Sequence, residues 1–531
     1  MLFDARSLAH GQKLHADVCI VGAGAAGIAI AREFMRAEVK VILLEGGGLD
    51  FDHRTQSLYQ GEISGRDFPS LEFTRRRQFG GSTATWFGRC RPLDESDFER
   101  HEWVPASGWP ISYSDLKPYY ERAKPLFELD DAGYESNSLD QLENYTDGNA
   151  LEGIETRIFQ FSPPTRFGER YKGDLQSARN IQVFLHANAT NIELGKDGNA
   201  VAGIRCSTLT GKNFLVHASL FVLTLGGLET TRLMLASRDV HADGIGNQHD
   251  LLGRFFMDHL SFFDAEVRDI PERFPASFFK LDYSVPDNNL GLVHALGLSP
   301  DYRRKHGLLN AGAFFVKRPA YKLHDLFFSK DMQHLVRISE MIRHARPPSL
   351  KIFETLGRLS SRPHMITRML AERLPWRERS SRFGIQIQLE CAPNPASRIT
   401  LSEKRDALGM NRIDLDWRLT RLDLESYRHF RRVLFDDLAR MGFQVRGINH
   451  DLDDEGWPVS AVPLKHHSGT TRMHVDPRHG VVDEACRVHN VNNLFVASSS
   501  VFPTIGMANP TLTIAALAIR VADTIKQRLQ H

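Results

Sequence analysis

The chain has 531 residues, of which 25% are charged and 42% hydrophobic, and its 66 Lys and Arg nearly cancel 65 Asp and Glu to a formal net charge of +1. That balance excludes the broad basic field of a nucleic-acid binder, and no run reaches the roughly 18 apolar residues of a membrane span. The five cysteines, Cys19, Cys90, Cys206, Cys391 and Cys486, are too scattered for a C-x-x-C, haem-attachment or zinc-ribbon pattern, so they read as reduced structural thiols and no metal centre is expected.

Residues 1–16 carry Asp4, Arg6, His10, Lys13 and His15 and no apolar signal core. A cytoplasmic protein is the expectation, with export beside a signal-bearing partner left open. Residues 17–45 then read as a strand, a glycine turn, a helix and a second strand ending in an acid. Gly22 permits the tight turn, Gly24 lets backbone amides approach a pyrophosphate, Gly27 allows close helix–strand packing, and Ala23 is counted with them as a cofactor contact. Glu45, about 20 residues on, suits an unphosphorylated ribose and so fits either NAD or the adenosine half of FAD.

Further along, residues 75–86 form a polar loop around Gly80, Gly81 and Ser82, expected to touch the cofactor. Short strands are expected over 181–206 around a turn at Lys196-Asp197-Gly198-Asn199, followed by a buried strand over 220–225 and a helix over 229–237. Trp86, Phe79, Phe255, Phe256, Phe262 and Phe263 are either core or a stacking surface for sugar faces. Residues 325–382 show helical spacing at Leu335, Ile338, Met341 and Ile342 on a basic background that includes Arg343, Arg346, Lys351 and Arg358. This insertion is a solvated helical face, or else a surface for an anionic membrane, a partner subunit or a second protomer. The last unit is a buried strand over 493–497, a loop to Ala508-Asn509-Pro510 and an apolar helix over 511–525. Cofactor-type segments thus lie at both ends, which predicts a discontinuous nucleotide-binding domain from 1–110, 181–264 and 456–531. A substrate domain is expected from 111–180 and 265–455.

Two C-terminal loops carry the chemistry: Lys465-His466-His467-Ser468-Gly469-Thr470-Thr471-Arg472-Met473 and Met507-Ala508-Asn509-Pro510-Thr511-Leu512-Thr513. A neutral imidazole takes a hydroxyl proton near pH 7, and an amide in the same pocket can hold the alcohol oxygen. His474, His479 and His489 read as turn or solvent histidines.

Together, Gly22-x-Gly24-x-x-Gly27, Gly80-Gly81-Ser82, His466-x-x-Gly469-Thr470-x-Arg472-Met473 and Phe502-Pro503-Thr504 leading to Asn509-Pro510 make the sequence resemble the glucose–methanol–choline (GMC) oxidoreductases. The segment from Ala508 to Thr513 is similar to the branch of pyranose oxidases, sugar dehydrogenases and C-glycoside 3-oxidases. The resemblance implies an α/β (α+β) fold: a Rossmann-like FAD-binding domain of the p-hydroxybenzoate hydroxylase type, interleaved with a sheet-plus-helix substrate domain. It implies His466 as catalytic base and Asn509 as its partner, with FAD held by Gly22, Ala23, Gly24, Gly27, Glu45, Gly80, Gly81, Ser82, Ser498, Pro510 and Thr511, and with Ala189 at the adenine. Thr85 stands where the fungal pyranose oxidases carry a flavin-linking histidine, so the FAD is expected to be non-covalent. Ser498 replaces the family's common Asp. The implied reaction is oxidation of a C2 or C3 hydroxyl of a sugar or glycoside, with O2 as acceptor. The alternatives are a dehydrogenase passing electrons to a quinone, an artificial acceptor or a haem subunit, and a non-redox lyase. A homo-oligomer or partner subunit is expected only through the basic insertion, and no nucleic acid.

Overall fold

The computed structural model describes residues 1–131, 133–134, 151–163, 165–272, 274–281, 291–317 and 383–530. The basic insertion expected at 325–382 lies outside the described residues.

Two eight-stranded sheets dominate what is described. The first runs from Leu2–Asp4 through Ile181–Leu185, Val41–Leu44 and Gln12–Val21 to Asn213–Leu223, all parallel. There the sheet forks. The first half of Asn213–Leu223 pairs antiparallel with Val201–Ser207, itself in a hairpin with Asn188–Leu194, while its second half pairs in parallel with Leu494–Val496. Burial along Gln12–Val21 explains its composition: Gln12 to Ala16 alternate between half-buried and exposed, whereas Val18 to Val21 are fully enclosed because elements cover both faces. On one face the helix Ala25–Glu33 packs against the C-terminal helix Thr511–Leu529, which also holds the helix Tyr113–Ala123. The Ala and Gly residues of Ala25–Glu33 let it approach closely. The helix expected over 229–237 runs Gly226–Ala236.

The second sheet is antiparallel, in the order Gln444–Gly447, Leu260–Asp269, Phe383–Leu389, Ala311–Lys317, Leu292–Leu298, Ile154–Phe161 and Arg89–Cys90, with Val462–Pro463 beside Leu260–Asp269. Period-2 alternation gives it two unlike faces. Ile385, Ile387 and Leu389 pack on Phe430, Val433 and Leu434 of the helix Arg421–Arg440, in one apolar cluster. Each such fully buried side chain contributes about 1.5–3 kcal/mol. A capping box between Thr420 and Asp423 starts that helix. The opposite face presents Gln386 and Gln388, with Phe314 and Phe263 in register beside Gln386. Phe159, Phe161, Phe263 and Phe314 form a second cluster there, which reaches Met507 of the C-terminal loop. The sheet thereby turns its Gln-bearing face toward the loop that carries Asn509. A smaller sheet of Arg398–Arg405, Asn411–Asp416 and Glu62–Ile63 completes the sheets among the described residues.

Candidate active site

The turn after Gln12–Val21 builds an anion cradle. The helix Ala25–Glu33 starts at Gly24 with no side-chain cap, so its first amides are left to another acceptor, and a Cβ added at Gly24 would meet nothing within 4 Å. A bare helix N-terminus facing open space suits a pyrophosphate. Gly27 admits no side chain, because its Cβ would lie 1.9 Å from the Gly22 carbonyl oxygen. At the end of Val41–Leu44, Glu45 Oε2 accepts from the Ala23 amide at 3.1 Å and Oε1 from the Gly47 amide at 2.7 Å. Burial pushes this carboxyl up, against the opposing pull of Gly47 and Arg77. The second glycine loop lies on the first: the Gly80 amide donates to the Ala23 carbonyl at 2.8 Å, and a Cβ at Gly81 would stand 3.0 Å from Gly24 Cα. Gly22, Ala23, Gly24, Gly27, Glu45, Gly80 and Gly81 therefore come together, and this lining fits a dinucleotide.

Ser82 follows in the same turn, its Oγ accepting from the Arg76 amide at 3.2 Å, while Thr85 is exposed beside it. Ser498 caps the short turn Ser499–Val501, sharing a 2.6 Å hydroxyl contact with Ser500. Pro510 and Thr511 open the C-terminal helix. Ala189 sits beside Asn188, whose Oδ1 accepts from Arg77 at 2.8 Å.

Backbone hydrogen bonds draw three segments together around His466. Met257 and Ser468 exchange amide–carbonyl bonds at 3.0–3.1 Å, and the Leu464 amide donates to the His259 carbonyl at 2.9 Å. On the other side the amides of Gly469, Thr471 and Met473 donate to Ser499, Ser500 and Val501. His466 follows Lys465, which has a positive φ of 69°. Its amide donates to Asp258 Oδ1 at 2.8 Å, and its carbonyl accepts from Ser468 Oγ at 2.7 Å. Its ring lies between two partners: Nδ1 is 2.9 Å from His259 Nδ1, and Nε2 is 3.3 Å from Asn509 Nδ2. The ring keeps some surface open but is closely surrounded. Burial first, then the cation of Arg89 and the unfavourable proximity of the His259 and His467 rings, hold its pKa well below the ordinary imidazole value. His466 is thus neutral at pH 7, the form that accepts a proton. Burial likewise pushes Asp258 up to about 8 and holds His467 well below its ordinary value.

The face of the second sheet turned toward Met507 carries Arg89 and Gln388, both buried. Arg89 donates to Gln388 Oε1 at 3.1 Å and lies 4.1 Å from the ring centroid of Phe314, and Gln388 Nε2 donates to the Met507 carbonyl at 2.6 Å. Of the aromatics weighed for sugar stacking, Phe79, Phe256 and Phe262 are core, and Phe263 alone belongs to the cluster that reaches Met507. Trp86 donates to the Thr165 carbonyl at 3.0 Å and packs on Phe127. His474 and His489 are turn histidines, the latter donating to the former's carbonyl at 2.9 Å. Asp258, His259, Arg89 and Gln388 were not legible as site residues. Asp258-His259 ends an apolar run, and only strand pairing brings it under His466.

The chain thus carries a glycine-lined turn that fits a dinucleotide and a neutral imidazole facing an amide. Residues 393–518, which include His466 and Asn509, match the family model described as GMC oxidoreductase. The chain is 22% identical to 2-methyl-1,2-propanediol dehydrogenase from Mycolicibacterium austroafricanum, over 96% of this chain and 95% of that one. It is 33% identical to C-glycoside 3-oxidase from Arthrobacter globiformis, over only 23% of each. A crystal structure of formate oxidase superposes with a TM-score of 0.58 at 17% identity, covering 98% of this chain and 100% of that one. The chain is an FAD-dependent oxidoreductase, similar over residues 393–518 to the GMC oxidoreductases. No helix among the described residues is long and apolar enough to cross a membrane.

Proposed function

We propose that this enzyme oxidises a secondary hydroxyl, at C2 or C3 of a sugar or glycoside, to the ketone. The observation that carries the reading is the facing pair His466 Nε2 and Asn509 Nδ2, 3.3 Å apart. FAD held by the two glycine loops and Glu45 supplies the hydride acceptor. Once the substrate hydroxyl replaces Asn509 Nδ2 as the partner of His466 Nε2, that nitrogen takes the hydroxyl proton, and the freed Asn509 Nδ2 hydrogen holds the alcohol oxygen as charge develops on it. The sequence of Ala508 to Thr513 and the partial likeness to a C-glycoside 3-oxidase favour glycosides and O2 as acceptor. A second reading, a dehydrogenase of a small alcohol with another acceptor, is favoured by the full-length likeness to a diol dehydrogenase.

Anaerobic titration with monosaccharides and aryl glycosides tests the proposal. Bleaching of the flavin by a glycoside, reversed by air with release of peroxide, is the expected result. Bleaching by a small diol but by no sugar would replace it with the second reading.

The pH dependence follows from the state of His466. Because the working form is neutral and the charged form is disfavoured, the limiting rate of flavin reduction should be flat through neutral pH. It should fall only as the medium becomes acidic, at a pH well below that of an ordinary imidazole. An acid limb centred at or above the ordinary value would contradict a buried, neutral base.

We further propose that the flavin is not covalently linked, since Thr85 has no nucleophilic ring nitrogen. Acid precipitation should leave all of the yellow colour in the supernatant, and colour retained in the pellet would show a linkage.

A further inference from the structure

We propose that His259 is a positioning residue that fixes His466 in the tautomer whose Nε2 carries a lone pair toward the substrate hydroxyl; the inference rests on the reading of His466 as the base. The polarity of the series is set at Gly506. Its carbonyl oxygen can only accept, so His259 Nε2, 2.9 Å away, carries a hydrogen. His259 is fully buried, and burial brings its pKa down to about 4, so the ring is neutral and holds a single proton. That proton is on Nε2, which leaves a lone pair on Nδ1. His259 Nδ1 lies 2.9 Å from His466 Nδ1, and two lone pairs would repel at that distance. The hydrogen between them therefore belongs to His466. A neutral His466 with its proton on Nδ1 has a bare Nε2, and that atom meets Asn509 Nδ2, a donor. Every polarity in the series Gly506 carbonyl, His259, His466, Asn509 follows from the carbonyl at its start.

The start of the series is itself immobilised. The Gly506 amide donates to Glu390 Oε1 at 2.9 Å, and its φ of +53° together with a Cβ position 2.2 Å from Asp97 Oδ2 leaves room only for glycine. The backbone of His466 is held separately, by Asp258, so the bond to His259 governs the ring alone. When His466 gains the substrate proton, its Nδ1–H bond to His259 becomes charge-assisted and stronger, which stabilises the product of proton transfer. The other titratable or charged groups around the ring are Arg89 from the second sheet, His467 and Lys465 from its own loop, and Asp258 beneath it.

The test uses the full FAD-loaded chain, His259→Asn and His259→Phe. Asn can place Oδ1 where His259 Nδ1 stood and keep the acceptor, whereas Phe removes it. ¹⁵N spectra of histidine-labelled wild type should show a His466 signal, assigned by its loss in His466→Ala, with Nδ1 protonated and Nε2 bare. Flavin reduction should fall about 10²-fold in His259→Phe with FAD still bound, and stay within about tenfold of wild type in His259→Asn. A wild-type His466 protonated on Nε2, or wild-type rates in FAD-bound His259→Phe, would overturn the proposal. If His259→Phe does not fold, the wild-type spectrum decides. That spectrum needs no substrate, so a failed search for a sugar substrate leaves this inference standing, and a wrong tautomer leaves the substrate reading standing.

Discussion

Replacing His466 by alanine should leave FAD bound at full stoichiometry and slow anaerobic flavin reduction by about 10²-fold or more, the usual contribution of a positioned general base. The site geometry explains why the loss is confined to the chemical step. The ring of His466 contributes Nε2 to the pocket, while its backbone is tied through Asp258 and Ser468. Truncation to alanine keeps both backbone bonds and removes only the ring. Asn509 would keep its place at the head of the C-terminal helix but lose the acceptor of its Nδ2 hydrogen. Stopped-flow absorbance of the flavin is the measurement. Unchanged reduction with tightly bound FAD would remove His466 from the mechanism.

The second large effect belongs to Gly27. In Gly27→Ala the new methyl would stand 1.9 Å from the Gly22 carbonyl oxygen and 2.9 Å from Thr224 Oγ1. A Cβ has no rotamer by which to escape, so the helix must shift away from the turn. That shift moves the helix N-terminus from the pyrophosphate position and strains the Gly80–Ala23 contact that seats the second glycine loop. Overpacking of this kind typically costs about 1–3 kcal/mol, and occasionally more. The purified variant should carry little or no FAD and melt several degrees lower. A variant with full flavin occupancy and the wild-type Tm would show that the cradle does not depend on this packing.

The two predictions rest on parts of the molecule that were unequally legible in the linear chain. The cradle is local. Gly22, Gly24, Gly27 and Glu45 lie within 24 residues, and each does its work through the backbone of its own strand, turn or helix. Strand periodicity, a glycine turn and an acid at the strand end were enough to read it. The strands over 181–206, the strand before Gly226 and the C-terminal helix were readable for the same reason, though the helix ends differ by a few residues because end residues are decided by caps and contacts. Aromatic residues were the opposite case. Nothing local separates Phe262, which faces the helix Arg421–Arg440, from Phe263, which faces the pocket. Adjacent strand residues point to opposite faces, and which face meets the pocket depends on the partner strands.

The surroundings of the base were beyond linear reading. His259 precedes His466 by 207 positions; in the sequence, Asp258-His259 carries no spacing that joins it to Lys465-His466. Antiparallel pairing of Leu260–Asp269 with Val462–Pro463 sets the two segments side by side, and the bridge between Met257 and Ser468 fixes their register. Arg89 and Gln388 likewise meet only because their strands belong to one sheet. The chemistry on offer, a glycine turn fitting a dinucleotide and an imidazole and an amide in C-terminal loops, was legible in the linear chain, since it depends on residue identity and short-range backbone geometry. How that chemistry is oriented follows from the packing of distant strands. The protonation side of an imidazole is set by whichever group faces its other nitrogen, and here that group is brought by long-range strand pairing.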